Sequence, residues 1–282
     1  MTIKDDHHRR DVLTIFMATF PGLEPWLFEE AQQLGFQGLR SVAGGVECQG
    51  AWTDVWRANL WLRGANRVLV RLGSFRAAHL STLDKRARML PWETIVHPQT
   101  PITVEATCRA SKIYHSGAAS ERVRKAAIAK AGAVESETNT IKILVRIEKD
   151  RCTVSIDTSG ELLHKRGYKQ DVVKAPLRET MASLFLRAAG YTGNEPLIDP
   201  MCGSGTIPLE AASWALGKAP GQDRDFAFQR LVPFDEQRWQ AIKNDGDQDN
   251  INVQIIGADR DGAAVEASRR NAQRGGFPSS VQ

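Results

Sequence analysis

A glycine turn behind an acidic residue is the feature of the sequence that points most directly to chemistry. The short apolar run at 196–198 ends in Asp199, and the turn Gly203-Ser204-Gly205 begins four residues later. A helical pattern then runs from 207 to 216. This order predicts a strand, a loop and a helix, the first βα unit of an α/β sheet. The glycines let the loop turn sharply and bring its backbone close to a ligand, where a Cβ atom would clash.

The residues around this turn discriminate between the ligands that such loops hold. A dinucleotide fingerprint requires a third glycine where this chain has Pro208, and a P-loop requires a lysine that does not follow Gly205. An acid ahead of the loop disfavours pyrophosphate but suits a ligand with ammonium, sulfonium or hydroxyl groups. S-adenosylmethionine is therefore the better fit. Because a lone Gly-x-Gly is a weak signal, an ordinary turn without a ligand stays open at this point.

A second acid-tipped run supports the same interpretation. The run 255–257 leads to Asp259, and a helical pattern follows from 263 to 274, with Asp261 placed to cap it. In nucleoside-binding α/β folds, an acid at the tip of the second strand accepts the ribose hydroxyls, and Asp259 fits that role. Asp259 lies 60 residues after Asp199, whereas the usual separation is roughly 20. The polar stretch 217–250 is therefore predicted to be an insertion between the first helix and the second strand.

Four segments of the chain carry a family resemblance. The stretch 199–207, Asp-Pro-Met-Cys-Gly-Ser-Gly-Thr-Ile, closely resembles the first motif of S-adenosylmethionine-dependent RNA methyltransferases that carry a THUMP RNA-binding domain ahead of a Rossmann-like catalytic domain. The segments 163–168, 175–180 and 257–261 match the same family. The resemblance covers nearly the whole chain. It is closest to the bacterial branch that methylates the exocyclic N2 amine of a guanine in large-subunit ribosomal RNA.

The resemblance implies a site for S-adenosylmethionine that uses both acid-tipped units and the two segments ahead of them. It also implies direct transfer of the methyl group, without a covalent enzyme intermediate. Cys202 has no histidine next to it in the sequence. We therefore interpret it as a small residue that the loop requires, in preference to a nucleophile. The predicted cofactor-binding residues are Asp199, Pro200, Cys202, Gly203, Ser204, Gly205, Thr206, Asp259, Arg260, Asp261, Arg166, Tyr168, Pro176, Leu177 and Arg178.

Charge is divided unequally between the halves of the chain. Residues 1–167 carry 24 Lys and Arg against 18 Asp and Glu, a net charge of +6, whereas residues 168–282 carry 13 against 15, a net charge of −2. A basic front half suggests contact with phosphates, although solvated surfaces often carry such an excess. One loop combines cations with an aromatic residue that could stack on unpaired bases. The predicted RNA-binding residues are Arg109, Lys112, Tyr114, His115 and Arg122.

The pattern of strands and helices, together with the resemblance, predicts a fold of mixed α/β and α+β class. Residues 1–78 form a ferredoxin-like α+β subdomain and residues 79–160 a THUMP domain. Within the THUMP domain a helix is predicted over 120–131, and two strands over 141–148 and 151–157 around the turn Lys149-Asp150. A linker rich in Lys and Arg follows at 161–175. Residues 176–282 form the N-terminal part of a Rossmann-like methyltransferase domain, which opens with a helix predicted over 176–189.

Several function classes are excluded by the composition of the chain. No run of about 18 apolar residues occurs, so no membrane span is predicted, and the polar start lacks the apolar region of a secretory signal. The four cysteines form no Cys-x-x-Cys pair and have no zinc spacing. We therefore expect reduced thiols, no metal and a cytoplasmic location. The oligomeric state is not indicated.

The resemblance also shows what the sequence lacks. Family members carry a downstream Asn/Asp-Pro-Pro-Tyr motif that holds the target amine and stacks on the flipped base, and no such tetrapeptide occurs here. No catalytic residue is therefore predicted, and the chain is expected to be an N-terminal fragment or a truncated product. The alternatives to a ribosomal RNA guanine-N2 enzyme are an RNA-binding module without catalysis, or a tRNA guanine-N2 or adenine-N6 methyltransferase.

Overall fold

A computed structural model describes residues 12–174, 176–243 and 253–277. Their N-terminal half folds as one mixed sheet of eight strands with four helices. The strands are β1 (Leu13–Ala18), β2 (Gln37–Val42), β3 (Gly45–Gly50), β4 (Arg67–Arg76), β5 (Pro101–Arg109), β6 (Val134–Glu135), β7 (Ile141–Glu148) and β8 (Arg151–Asp157). The helices are α1 (Glu24–Gln33), α2 (Trp52–Trp61), α3 (Leu80–Ala87) and α4 (Ser116–Ala131).

The ferredoxin-like and THUMP parts share this sheet. Its strand order is β2-β3-β1-β4-β8-β7-β5-β6, and β4 pairs antiparallel with β8 from Leu69 opposite Asp157 to Arg76 opposite Arg151. The boundary predicted at 78/79 therefore lies just after a strand that belongs to both parts. One continuous hydrophobic core runs under the whole sheet. The N-terminal half is consequently built as a single body.

Local sequence explains the hairpins of this sheet. In β7 the residues Ile141, Ile143, Val145 and Ile147 are all buried and alternate with more exposed ones, which is the period of a strand with one face on a core. The turn to β8, Lys149-Asp150, has positive φ at both residues, the geometry that joins two strands in a tight hairpin. The predicted strands and turn are confirmed.

Two helices begin at other residues than predicted. Helix α4 begins four residues before the predicted Ser120, because His115 caps it: its Nδ1 accepts a hydrogen bond from the Ala118 N–H at 3.2 Å. Helix α5 (Glu179–Ala188) begins three residues after the predicted start. Arg178, just ahead of it, is extended, and the Leu177 carbonyl accepts a bond from the Lys169 ammonium at 2.6 Å instead of joining a helix.

The C-terminal half contains a short parallel pair of strands, β9 (Leu197–Asp199) and β10 (Ile255–Gly257). Their register places Gly257 opposite Asp199. Helix α6 (Thr206–Ala215) follows β9, and α8 (Gly262–Arg274) follows β10. These two strand–loop–helix units, behind a ferredoxin-like and THUMP half, confirm the predicted fold class.

The predicted insertion returns to the N-terminal half. Its described part contains a 3₁₀ turn at 227–230 and helix α7 (Glu236–Lys243). The ring of Phe228 stacks on Trp56 of α2 with centroids 6.0 Å apart, and Trp239 packs edge-on against Phe228 at 5.1 Å. The insertion therefore fixes the C-terminal half onto the first core. Ala175 and residues 244–250 of the predicted insertion lie outside the described residues.

Candidate functional site

Asp199 and Asp259 meet at the carboxyl edge of the two parallel strands, as predicted. Asp259 accepts hydrogen bonds from the N–H groups of Asp261 and Gly203, both at 2.9 Å. These two backbone donors, Asp261 first, lower the pKa of the Asp259 carboxyl below its usual value. Asp199 accepts one bond, from the Met201 N–H at 3.0 Å. Two carboxylates therefore flank the start of the glycine loop.

The loop between these acids requires glycine at specific positions. Gly203 and Gly205 have φ angles of 54° and 86°, in the left-handed region that side chains rarely adopt. A Cβ on Gly205 would also lie 2.3 Å from the Ser268 hydroxyl oxygen, and one on Gly257 would lie 3.2 Å from the Cys202 sulfur. The loop is thus closely packed on β10 and α8, and its backbone is the part that can approach a ligand.

The predicted side chains of this region divide into exposed and buried groups. Pro200, Arg260 and Asp261 are exposed, and Asp261 caps α8 by accepting from the Ala263 N–H at 2.9 Å. Cys202, Ser204 and Thr206 are buried, so their contacts with a ligand can involve only the backbone. Burial raises the pKa of the Cys202 thiol, with Asp199 and Asp259 adding to the shift, which disfavours a thiolate nucleophile.

Arg166 and Tyr168, both predicted for the cofactor site, lie in the interior of the protein. Both side chains are buried against Glu210 of α6, with the Arg166 Nε at 3.2 Å and the Tyr168 hydroxyl at 2.7 Å from the same carboxylate oxygen. Burial works against the charge of Arg166, but Glu210, Tyr168 and Glu179 together outweigh it and raise the pKa of the guanidinium. Both side chains are buried, so a contact with the cofactor would have to involve their backbone, and their part in the cofactor site stays a prediction. The two side chains join the linker to α6.

A cavity of about 790 Å³ lies beside the glycine loop. Pro176, Leu177 and Arg178, predicted for the cofactor site, line it. The other lining residues come from the linker, the start of α5 and the insertion: Glu161, His164, Lys165, Gly167, Lys169, Gln170, Val172, Glu179, Arg224 and Asp225. The Leu177 carbonyl also accepts from the Thr206 hydroxyl at 3.4 Å, so the cavity adjoins the loop. Its size is typical of sites for small ligands. Asp199 and Asp259, which form the acidic edge of the two strands, do not line the cavity. The cavity and the acidic edge both lie next to the glycine loop, so they are neighbouring parts of one region.

His164 lines the same cavity but is not suited to accept a proton. Burial, and then the charges of Arg178 and Arg166, lower the pKa of its imidazole to about 4. It is therefore neutral near pH 7.

The predicted RNA-binding residues lie at the end of β5, in the loop that follows it and on α4. Arg109, Lys112, Tyr114, His115 and Arg122 are all exposed, Tyr114 by 84%. The loop is held to the β7–β8 hairpin, because the Lys112 N–H donates to the Asp150 carboxylate at 2.7 Å. The Nδ1 atom of His115 is used as the cap of α4, so a ligand could use only the other nitrogen or the ring face.

Three family models match successive parts of the chain. They are the RlmL ferredoxin-like domain at 14–69, the THUMP domain at 77–157 and the RMKL-like methyltransferase domain at 166–282. The curated "Putative RNA methyltransferase slr0064" of Synechocystis sp. is 31% identical over 270 residues, which are 92% of this chain and 70% of that protein. The chain belongs to the THUMP-domain RNA methyltransferases. Enzymes of this family use S-adenosylmethionine.

Other members of the family are longer than this chain. The ribosomal RNA large subunit methyltransferase K/L of Syntrophotalea carbinolica is 34% identical, covering 93% of this chain but 39% of its own length. The K/L enzyme of Psychromonas ingrahamii is 31% identical, covering 94% and 37%. The chain thus spans about two fifths of these two relatives.

Solved structures of relatives have the same fold. The crystal structure of SMU.472 in complex with SAH superposes with a TM-score of 0.87 at 29% identity, covering 96% of this chain and 74% of that one. A Listeria monocytogenes protein, described as a "predicted N6-adenine-specific DNA methylase", has a TM-score of 0.88 at 30% identity with the same coverage. The protein therefore shares its fold with a relative whose crystal structure contains SAH.

Sequence reasoning missed two buried residues that organise the site of this methyltransferase. Lys169 connects the linker to α5 and α6, and Asn271 connects the linker to the glycine loop. A lysine and an asparagine that are both buried need several partners, but the partners lie up to 101 residues away in sequence. No local pattern could have shown them. Among the described residues, no cluster of His, Cys, Asp and Glu could hold a metal ion, and no helix is long and apolar enough to cross a membrane.

Proposed function

We propose that this chain provides the RNA-binding half and the cofactor-binding edge of an enzyme that methylates the N2 amine of a guanine in large-subunit ribosomal RNA. The observation that carries the proposal is the convergence of Asp199 and Asp259 on the backbone of one glycine loop. The similarity to the K/L enzymes supports ribosomal RNA as the substrate. A ribosomal RNA substrate also implies a cytoplasmic enzyme.

The residues present fit S-adenosylmethionine. A carboxylate has about four acceptor positions, and Asp259 uses two of them on backbone N–H groups. The remaining positions can accept two ribose hydroxyls. Asp199 keeps one oxygen free of backbone bonds and can pair with a cationic group of the cofactor. Gly203 is partly exposed and has no Cβ atom, which allows a ligand to approach the backbone of the loop closely.

S-adenosylmethionine supplies an electrophilic methyl group bound to a sulfonium sulfur. This chain would bind and orient the cofactor and the RNA and would exclude water from the site. Methyl transfer gains most from correct alignment of the attacking amine. The acidic edge stabilises positive charge near the loop, and the exposed cluster from Arg109 to Arg122 would hold the RNA. We place the cofactor at the acidic edge and the adjoining cavity, with Pro176, Leu177 and Arg178 along its wall.

Two measurements test this function. Mass spectrometry of large-subunit ribosomal RNA from a strain that lacks the gene should show the loss of one N2-methylguanosine, restored by complementation. A missing N6-methyladenosine, or a modified nucleoside missing from tRNA, would instead support one of the alternative substrates. Calorimetry of the purified protein with S-adenosylhomocysteine should show binding at one site.

A second candidate is an RNA-binding module that does not transfer methyl groups. The exposed cations and Tyr114 near one hairpin favour RNA binding independently of the cofactor site. Incubation with radiolabelled S-adenosylmethionine and unmodified ribosomal RNA distinguishes the two functions. Affinity for S-adenosylhomocysteine supports the enzyme even without label, because the motif that holds the target amine does not occur in this chain. RNA binding without label and without affinity for S-adenosylhomocysteine supports the module.

A further inference from the structure

The side chain of Asn271 on α8 is fully buried and makes five hydrogen bonds. Its Nδ2 donates to the Asp171 carbonyl at 2.8 Å and to the Ser204 carbonyl at 3.0 Å. Its Oδ1 accepts from the N–H groups of Gln170 and Asp171, both at 3.1 Å, and from Arg274 at 2.8 Å. Both amide protons and the amide oxygen are therefore used. If the amide oxygen and nitrogen were exchanged, the oxygen would face two carbonyl oxygens and the nitrogen would face three N–H donors. Only one orientation of the Asn271 amide is therefore possible.

These bonds join two segments that lie far apart in sequence. Ser204 is the central residue of the glycine turn, and residues 169–173, here called the linker seat, belong to the segment between the two halves. The linker seat covers the loop, because a Cβ atom on Gly203 would lie 3.5 Å from a methyl group of Val173. The Asp171 carboxylate adds ion pairs to Arg270 at 3.0 Å and to Arg274 at 2.7 Å. The linker seat is thus held by α8 along its length.

Lys169 makes a second attachment from the other side. Its ammonium donates to the Leu177 carbonyl at 2.6 Å and to the Thr206 hydroxyl at 2.9 Å, and pairs with Glu179 at 3.1 Å. The side chains of both Lys169 and Glu179 are only 5% exposed. The glycine loop is therefore tied to the linker seat at Ser204, near its middle, and at Thr206, where α6 begins.

We propose that Asn271 is a positioning residue that holds the linker seat and the glycine loop as one unit, so that the loop has its cofactor-binding shape only when the linker is seated. The Ser204 carbonyl lies between two glycines with positive φ, which have many alternative conformations. A bond to this carbonyl selects one of them. As far as it concerns the cofactor, the inference rests on the proposed function. It goes further because it makes the linker a part of the site.

The test uses Asn271→Asp, which keeps the shape of the side chain but removes both donors to the Ser204 and Asp171 carbonyls. Amide hydrogen exchange is measured on the whole chain without cofactor. We expect at least tenfold faster exchange in peptides that cover 169–173 and in those that cover 201–206. The amides of Cys202 and Gly203 are informative, since they donate to Ala258 and Asp259 and not to Asn271. Exchange in β7 and β8 should not change.

The control is Arg269→Ala, on the same helix. Arg269 is exposed and pairs only with Glu266, at 2.8 Å, among the described residues. It should leave exchange at both segments unchanged. If Asn271→Asp accelerates exchange uniformly over the C-terminal half, or leaves 201–206 unchanged, the residue only stabilises the fold and the proposal is overturned.

A second variant keeps the proposal testable if Asn271→Asp does not fold. Lys169→Met removes the other attachment and should also accelerate exchange at 201–206; unchanged exchange there would contradict the proposal. Calorimetry with S-adenosylhomocysteine should give at least tenfold weaker binding for Asn271→Asp than for Arg269→Ala. Equal affinities would overturn the part of the proposal that concerns the cofactor. If the unmodified protein does not bind S-adenosylhomocysteine, the proposed function fails, while the exchange measurements still decide whether the linker positions the loop.

Discussion

The hydroxyl group of Tyr168 donates a 2.7 Å hydrogen bond to the carboxylate of Glu210 in the interior of the protein. The same carboxylate pairs with Arg166 at 3.2 Å and lies 3.8 Å from Arg63. Arg63 follows α2 in the ferredoxin-like part, Arg166 and Tyr168 belong to the linker, and Glu210 lies on α6 behind the glycine loop. One buried acid therefore joins three parts of the chain. Its position determines how the RNA-binding half is oriented relative to the loop.

Removing this acid should destabilise the protein strongly. Glu210→Ala leaves the buried guanidinium groups of Arg63 and Arg166 without their carboxylate, and breaking a buried ion pair by removing one partner costs about 3–5 kcal/mol. We expect a fall of that size in the free energy of unfolding, measured by urea denaturation. The matched control is Glu161→Ala, which breaks an exposed pair with Lys165 and should cost about 1 kcal/mol or less. Equal effects of the two substitutions would contradict the role given to Glu210.

The glycine loop should not tolerate a side chain at Gly205. Its φ of 86° costs about 1–2 kcal/mol for a residue with a Cβ atom, and that atom would lie 2.3 Å from the Ser268 hydroxyl oxygen. Gly205→Ala should therefore lower the free energy of unfolding by at least about 1 kcal/mol. It should also weaken binding of S-adenosylhomocysteine, because the loop must move.

Two further variants separate the causes of this effect. Gly262→Ala, at the start of α8, places a Cβ atom in open space and should be neutral or slightly stabilising. Adding Ser268→Gly to Gly205→Ala should recover the part of the loss that comes from the clash, while the cost of the positive φ remains. A Gly205→Ala protein as stable as the unmodified one would show that the loop has another conformation in solution.

Asp259 should determine affinity for the ribose of the cofactor. Asp259→Ala removes the acceptor of the hydroxyls and the bond that holds the Gly203 N–H at 2.9 Å. We expect roughly 10- to 100-fold weaker binding of S-adenosylhomocysteine by calorimetry, the range for losing hydrogen bonds to a charged group. Glu266→Ala, an exposed acid on α8, is the control and should change nothing. If Asp259→Ala binds as tightly as the control, Asp259 is not part of the site.

Local pattern was sufficient for some elements and not for others. The alternation in β7 and the Lys149-Asp150 turn were predictable, because both are set by residues next to each other in sequence. The meeting of Asp199 and Asp259 was also predictable, since parallel strands end at the same edge of a sheet. The site of Arg166 was not, because its partner Glu210 lies 44 residues away.

The insertion illustrates the same limit. Its polar composition predicted a segment outside the C-terminal sheet, but not the surface that it covers. Phe226, Phe228 and Trp239 pack on the first core, together with Trp56 from α2. Such packing depends on the shape of a surface that is completed only when both halves have folded.

The exposed cations at the end of β5, in the loop that follows it and on α4 should set the salt dependence of RNA binding. A protein that neutralises phosphates releases counterions, so affinity falls linearly with salt on a logarithmic scale. Replacing Arg109, Lys112 and Arg122 together by alanine should reduce that slope by roughly 0.7–0.9 for each phosphate that the variant no longer neutralises. Fluorescence anisotropy with a labelled ribosomal RNA fragment between about 50 and 200 mM salt, the range in which the effect is large, would measure it.

Tyr114 should contribute differently, because its exposed ring can stack on a base but carries no charge. Tyr114→Ala should weaken binding of unpaired RNA by about 1–3 kcal/mol per stacked base and leave the salt slope unchanged. Arg238→Ala on α7, which removes an exposed arginine away from this loop, is the control for both measurements. If the triple variant keeps the full slope, or if Arg238→Ala lowers it as much, the RNA binds another face of the protein and the assignment of Arg109, Lys112 and Arg122 is wrong.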